Sequence, residues 1–349
     1  MEKTTSNNDL TNFLDNNKIQ YASDVEVSKI SWLKAGGIFK KLIFPLNVQE
    51  IVDLLEFLKK IKKKYYVIGN LSNIILRDGV INTPILNLKK INQIEQIQNG
   101  KDFITLKVGS GTSIYKFASF VSYNLEISGA EGLIGIPGSI GGGIYMNASS
   151  YGSCISDYVK EVKVITSNLE NKTLTKQQMD FSWRKTVLHE KNGYLIYEVL
   201  FEIPIKKKKK KNFITQKINE IKYHRFNYQE KKLPNLGSLF ATKDLYKDIK
   251  QASIAFFLLY YLNLFITKFI RKFLNEKYLL LFRKKIVKIY SKFLGINKNY
   301  EYGLSERTIN CLVNKDTKNS TNAIILIKNL EKKIKKSQKL ENIILENIE

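Results

Sequence analysis

The sequence predicts an α+β protein of more than one domain, and three observations carry that prediction. The chain has 349 residues, more than an average domain holds. Its first two thirds alternate short helix-like and strand-like runs. Eight of its 19 glycines, Gly129, Gly132, Gly135, Gly138, Gly141, Gly142, Gly143 and Gly152, crowd into GAEGLIGIPGSIGGGIYMNASSYG. Glycine is needed where the backbone takes a positive φ or comes into close contact with another group. Pro137 fixes one φ inside the run. Ile134, Ile136, Ile140, Ile144 and Met146 are too apolar for a flexible linker. The run is therefore expected to be an ordered, buried turn whose exposed N–H donors suit a phosphate or pyrophosphate.

The remaining elements follow in chain order. Residues 1–19 are polar and lack the apolar core of a secretory signal, so a disordered tail is expected. Val48–Ile61 carries apolar residues at helical spacing behind Asn47, a good N-cap. A short strand, Tyr65 to Ile68, leads into the turn Gly69-Asn70-Leu71-Ser72-Asn73, and strand-like runs punctuated by Asp78-Gly79 come next. Residues 103–111 alternate like a strand, Ile114 to Leu125 has a helical pattern, and YVKEVKVITS and YLIYEVLFEIP are strand-like. A first domain of two lobes is expected over 20–205 and a second domain over 212–349, with a helical insertion at about 250–300. Near the end, Ser320 to Lys336 is an amphipathic helix.

Within the insertion, Ser253 to Ile266 is apolar nearly all round, and Lys268, Arg271 and Lys272 begin a basic, amphipathic continuation. An apolar run of about 14 residues is short for a transmembrane helix. It is expected to be buried in the C-terminal domain or to form a hairpin packed upon it. Peripheral membrane contact through residues 253–290 is the alternative, since basic residues flank the run and aromatics fill it.

Composition excludes several functions. Cys154 and Cys311 make no disulfide framework, and with only His189 and His224 no metal site is expected; a cytoplasmic setting is the simplest reading. The net charge of +25 is mostly lysine spread along the chain, and its densest patch, Lys206–Lys211, has no interleaved aromatics for base stacking. Nucleic acid is not an expected partner. A basic surface would instead draw anionic substrates by long-range attraction.

The glycine run is neither a Walker A loop nor a dinucleotide fingerprint, since it lacks Gly-Lys-Ser/Thr and sits far from the first strand. With its proline and Met-Asn-Ala end it closely resembles the flavin-binding loop of UDP-N-acetylenolpyruvoylglucosamine reductases. That resemblance implies the two-lobed FAD-binding fold of the vanillyl-alcohol-oxidase type. It implies FAD as cofactor, NADPH as hydride donor and a UDP-sugar substrate, in a monomer. Cofactor contacts are then expected from Gly69, Asn70, Leu71, Ser72 and Asn73, and from Gly129, Gly135, Ile136, Pro137, Gly138, Ser139, Gly141, Gly142, Asn147 and Gly152. Leu71 stands where the family's first flavin loop has its second glycine.

Three further segments carry the resemblance. Phe181-Ser182-Trp183-Arg184 is similar to the family's Phe-x-Tyr-Arg, which implies that Arg184 binds the substrate carboxylate; its planar fork suits that task. Residues 225–240 keep the register of Arg225, Gln229, Gly237, Ser238 and Phe240, which implies Ser238 as general acid and Arg225, Gln229 and Lys232 as substrate contacts. Ser305 to Asn314 resembles a family strand, which adds Asn310 to those contacts, although Thr308 replaces a histidine and Cys311 a phenylalanine. The resemblance also implies a closing strand, Ile343 to Glu349, with a glutamate, Glu346 or else Glu349, opposite the arginine. The implied reaction reduces an enolpyruvyl ether to UDP-N-acetylmuramate for peptidoglycan. Ala241-Thr242-Lys243 replaces the family's Lys-Asn-Pro, and the insertion lengthens the chain before Ser305. These departures leave open a paralogue acting on another nucleotide sugar in surface-polysaccharide synthesis, or a relative without turnover.

Overall fold

In the computed structural model, residues 2–191, 193–242, 244–250, 253–296, 301–334 and 339–345 are described, with side chains from Asn8 onward. The expected N-terminal tail is corrected first. The helix α1 (Glu2–Asn16) forms there and buries Leu10 and Leu14, while Phe13 stacks on Phe57 at 4.1 Å. Few as they are, these apolar side chains recur at helical spacing, which suffices once a partner helix is present.

The first lobe follows. It contains β1 (Gln20–Glu26), the single turn α2 (Val27–Ile30), β2 (Ile38–Phe44), α3 (Val48–Lys60), β3 (Tyr66–Ile68), β4 (Ile74–Leu76), β5 (Val80–Ile81) and β6 (Ile85–Asn87). The strands run β1-β2-β6-β3, with β5 also paired to β2. Asn47 caps α3 as expected, accepting a hydrogen bond from the Glu50 amide. The helix then buries Ile51, Leu54, Leu55 and Leu58 against Ile43 and Leu86.

The second lobe is an antiparallel sheet ordered β12-β11-β13-β8-β7. Its strands are β7 (Ile94–Asn99), β8 (Phe103–Gly109), β11 (Val159–Ile165), β12 (Asn171–Thr175) and β13 (Leu195–Pro204). Between β8 and β11 lie α4 (Ile114–Ser119), α5 (Ile140–Tyr145) and the small hairpin of β9 (Ser149–Ser150) and β10 (Ser153–Cys154). The pattern over Ile114–Leu125 thus ends its α-helix early, at Ser119, and continues as a wider turn to Asn124.

The long helix α6 (Lys211–Tyr228) leads into the third domain, made of α7 (Leu245–Ile249), α8 (Ile254–Phe273), α9 (Glu276–Phe293), β14 (Tyr302–Ser305), β15 (Thr308–Asn314), α10 (Thr321–Lys333) and β16 (Ile343–Leu345). Its core of Phe240, Tyr290, Tyr302, Ile327 and neighbours includes Leu33, Ala35 and Ile75 of the first lobe. The closing strand β16 pairs in parallel with β4, so the chain's end is stitched to that lobe. Of the two forms expected for the apolar helix, the structure shows the hairpin: α8 and α9 pack together on the third domain through Phe256, Ile286, Val287 and Tyr290, and α8 itself is not buried. In α8 only Phe256, Tyr260 and Ile270 are buried, and Ile254, Leu258 and Phe265 face outward.

Candidate active site

One cavity of about 1460 Å³ lies where the two lobes and the third domain meet. One of its walls is almost entirely backbone. Gly69 to Asn73 after β3 and Gly135 to Ser139 before α5 face it, along with Gly141 and Gly142. The two turns are tied together by the Ser72 hydroxyl, which donates to the Pro137 carbonyl at 2.5 Å. They approach so closely that a Cβ on Gly69 would stand 2.7 Å from Ser139 Oγ.

Leu71 explains how the turn survives without its second glycine. It takes φ +50, the left-handed conformation that glycine favours. Its side chain is 3% exposed and packs with Val27, Phe39 and Ile68. Burial of a leucine, worth roughly 1.5–3 kcal/mol, offsets a left-handed strain of about 1–2 kcal/mol.

Arg225, projecting from α6, holds the glycine run from behind. It is 9% exposed and donates to the Gly132 carbonyl at 2.9 Å, Ser150 Oγ at 2.8 Å, Gln229 Oε1 at 3.1 Å and the Gly135 carbonyl at 3.4 Å. Its guanidinium also lies 4.9 Å from the Tyr151 ring. Burial lowers its pKa, yet an arginine stays protonated. Its terminal nitrogens brace the loop and Gln229, while its Nε meets no hydrogen-bonding partner among the described residues, and both Arg225 and Gln229 line the cavity. Glu131, which is fully buried, anchors the run's beginning by accepting from Ser128 Oγ and the Gly129 amide, both at 2.7 Å, and from Lys217 at 3.2 Å. Burial pushes its carboxyl up, and these bonds together outweigh that push and hold it below the usual carboxylate range.

The same cavity also carries charged and hydroxyl groups. Arg184 closes a tight turn at φ +55 and enters the cavity. Its guanidinium donates to Ser149 Oγ and to the Ser149 carbonyl, both at 3.2 Å, and its Nε pairs with Glu341 at 2.8 Å. Glu341 is about as buried as its partner. Burial pushes its carboxyl up and Arg184 pulls it back only in part, so the net shift is upward. Ser238 lines the same cavity, and its hydroxyl meets no hydrogen-bonding partner among the described residues. Lys232 and Gln229 line it as well. His189, stacked on Tyr145 at 4.1 Å, adds a ring whose pKa burial lowers.

Several expectations are corrected by this geometry. Gly129, Asn147 and Gly152 do not line the cavity. Gly129 is glycine because a Cβ there would lie 2.5 Å from the Tyr158 hydroxyl, and Gly152 turns at φ +76 away from the site. Asn147, at φ +44, donates to the Ser182 carbonyl at 2.8 Å and so fixes the turn that presents Arg184. The Asn73 side chain is used by the C-terminal segment, donating to the Glu341 carbonyl at 2.9 Å and accepting from Asn342 at 2.7 Å. Asn310, as expected, lines the cavity, and its amide also braces Phe240, accepting from its N–H at 2.8 Å and donating to its carbonyl at 3.0 Å. It steadies the turn that carries Ser238. Glu346 and Glu349 lie outside the described residues; among the described residues the carboxylate that pairs with Arg184 is Glu341. Glu341 sits next to Asn342 just before β16, a strand whose pairing with β4 the sequence did not foretell.

The backbone wall fits FAD. The amides of Asn70, Ser72, Gly138 and Ser139 donate to no other group among the described residues. They belong to two neighbouring turns whose glycines let the backbone come close to a phosphate. A family model for an FAD-binding domain matches residues 39–171, which include both turns. The UDP-N-acetylenolpyruvoylglucosamine reductase of Latilactobacillus sakei is 33% identical over 65% of this chain and 72% of its own length. The chain belongs to this reductase family. A second relative, from Listeria monocytogenes, is 32% identical over 61% of this chain and 68% of its own length. A third, from Lactobacillus acidophilus, is 36% identical over 53% of this chain, and the match spans 60% of that relative's length. In fold, the reductase (MurB) from Thermus caldophilus superposes with a TM-score of 0.65 at 16% identity, over 93% of this chain and 98% of that one. Two FAD-binding lobes of the vanillyl-alcohol-oxidase type, followed by an α+β domain with inserted helices, therefore describe the architecture.

Proposed function

We propose that the protein reduces the enolpyruvyl group of UDP-N-acetylglucosamine enolpyruvate to UDP-N-acetylmuramate, with NADPH as hydride donor. The observation that carries this reading is the meeting, in one cavity with the glycine turns, of Arg184 braced by Glu341 and the Ser238 hydroxyl, which has no hydrogen-bonding partner among the described residues. FAD, when bound, would supply the hydride chemistry between NADPH and the enolpyruvyl double bond. The backbone amides of the Gly69–Asn73 and Gly135–Ser139 turns would hold its pyrophosphate.

The protein's own groups handle the charge and the proton. Arg184 binds the substrate carboxylate, into which the electron pair left on C2 is delocalised, and Ser149 and Glu341 fix its direction. Ser238 Oγ–H gives its proton to C2, completing the saturated lactyl ether. Lys232 lines the same cavity and offers a cation to the substrate's diphosphate. Two unpaired cysteines suit a reducing compartment, in keeping with a cytoplasmic enzyme.

The visible spectrum of the purified protein tests this directly. Flavin bands should bleach with NADPH and return when the enolpyruvyl nucleotide sugar is added without oxygen. In Ser238→Ala, NADPH should still bleach the flavin, while turnover falls by roughly 10²–10⁴-fold. Bands that bleach but do not return would assign the site to another nucleotide sugar. A protein that takes up no FAD would overturn the enzyme reading.

A further inference from the structure

The hairpin of α8 and α9 presents a surface that the reaction does not use. The helix α8 is long and apolar enough to cross a membrane, yet most of it is exposed. Phe257, Leu258, Tyr261, Leu262, Phe265 and Phe269 recur at spacings of three and four along one side. All are exposed, Phe265 by 72%. An apolar stripe of this length is uncommon on a free surface.

Charge identifies what covers it. From Ile254 to Phe293 there are nine basic residues and one acidic residue, Glu276. Lys268, Lys272, Lys277, Lys285, Lys288 and Lys292 are exposed, and no carboxylate among the described residues pairs with them. A second copy docked through the same face would set these two cationic hairpins against each other. A bilayer crossed by α8 is also unsuitable. Phe256 near the start of α8 stacks on Tyr290 at 5.7 Å and meets Phe293 at 6.1 Å, so α9 returns alongside and would carry its lysines into the hydrocarbon.

We propose that the α8–α9 hairpin lies flat in the interface of an anionic membrane, with the α8 stripe among the acyl chains and the lysines at the headgroups. The hairpin is joined to the cavity wall. Glu276 accepts from the hydroxyls of Tyr223 and Tyr228, both at 2.6 Å, and Tyr228 lines the cavity at the end of α6. Membrane docking therefore sets the enzyme's cavity at a fixed distance from the lipid surface.

Sedimentation of the full-length protein with vesicles tests this. Vesicles of phosphatidylcholine and phosphatidylglycerol in equal parts should bind it, and phosphatidylcholine alone should bind it far less. The double change Phe265→Asp and Phe269→Asp should lower partitioning at least about tenfold. Lys285→Gln and Lys288→Gln should each lower it about fivefold. All of these residues are exposed and outside the cavity, so flavin reduction by NADPH should be unchanged. Equal binding to both vesicle types overturns the proposal. So does binding that responds to the lysine changes but not to the phenylalanine pair, which would be adsorption by charge alone. A dimer that the phenylalanine pair dissolves would reassign the face to a second copy.

Discussion

The glycine wall and the α8–α9 hairpin are opposite answers to one question, what a residue is exposed to. In the wall, small residues face an open cavity while Ile140, Ile144 and Leu133 behind them are fully buried. In the hairpin, large apolar residues face outward and the packed side is thin. Where backbone geometry dictates residue type, the sequence betrays its structure, because nothing but glycine avoids the clash. Where an apolar helix merely needs cover, the sequence cannot say whether the cover is the protein itself.

The strongest way to break this comparison is to unfasten the wall. Arg225→Met removes charge-assisted bonds to the Gly132 and Gly135 carbonyls and to Ser150, each worth about 1.5–3 kcal/mol when lost from a buried site. Unfolding in urea should show a loss of at least about 3 kcal/mol, together with loss of bound flavin. A loss below about 1 kcal/mol would mean that the run holds its shape without the arginine. Next in size is a pair of alanine substitutions in the run itself. A Cβ on Gly132 would lie 2.1 Å from the Ser150 carbonyl oxygen, a backbone atom that cannot swing aside, so Gly132→Ala should cost about 1–3 kcal/mol. A Cβ on Gly142 meets only Ser139 Oγ at 3.5 Å, and Gly142→Ala should cost well under about 1 kcal/mol. Equal costs would show that crowding does not explain why the run is glycine-rich.

How much was legible divides along the same line. Asn47 as N-cap, the glycine turns and the Arg184 and Ser238 segments could be placed from the sequence because each is a local pattern. Glu341 could not, since its meeting with Arg184 depends on β16 pairing with β4 across 268 residues, from Asn73 to Glu341. Asn147 lies near the cavity without lining it and holds the Ser182 carbonyl, whereas Asn310 lines the cavity and braces Phe240 as well. A side-chain amide satisfies a turn as readily as a ligand, and only coordinates show which it does. The N-terminal helix was missed because its amphipathic signal is weak until Phe57 is there to receive Phe13.

A smaller effect sharpens the account of the wall's anchor. Glu131→Gln keeps the shape but gives up a carboxylate with three donors, and should cost on the order of 1 kcal/mol at neutral pH. Because the folded carboxyl titrates below its ordinary value, its contribution is complete above that value and disappears as pH falls through the lower folded one. The wild-type protein should therefore lose its advantage over the variant in acid, and the two urea curves should converge there. An advantage that persists in acid would point to packing rather than charge.

The smallest expected effect is the most telling for the hairpin. Phe265 touches little of its own protein, so Phe265→Ser should change the stability of the dissolved protein by no more than about 0.5 kcal/mol. The same truncation in a buried aromatic of the third domain, Phe240→Ala, should cost about 3–5 kcal/mol. If Phe265→Ser proved nearly as costly in solution, the α8 stripe would be core that closes on the protein itself, and the contrast with the glycine wall would vanish. If it is silent in solution yet weakens binding to anionic vesicles, the residue's apolar surface is answered only by the lipid.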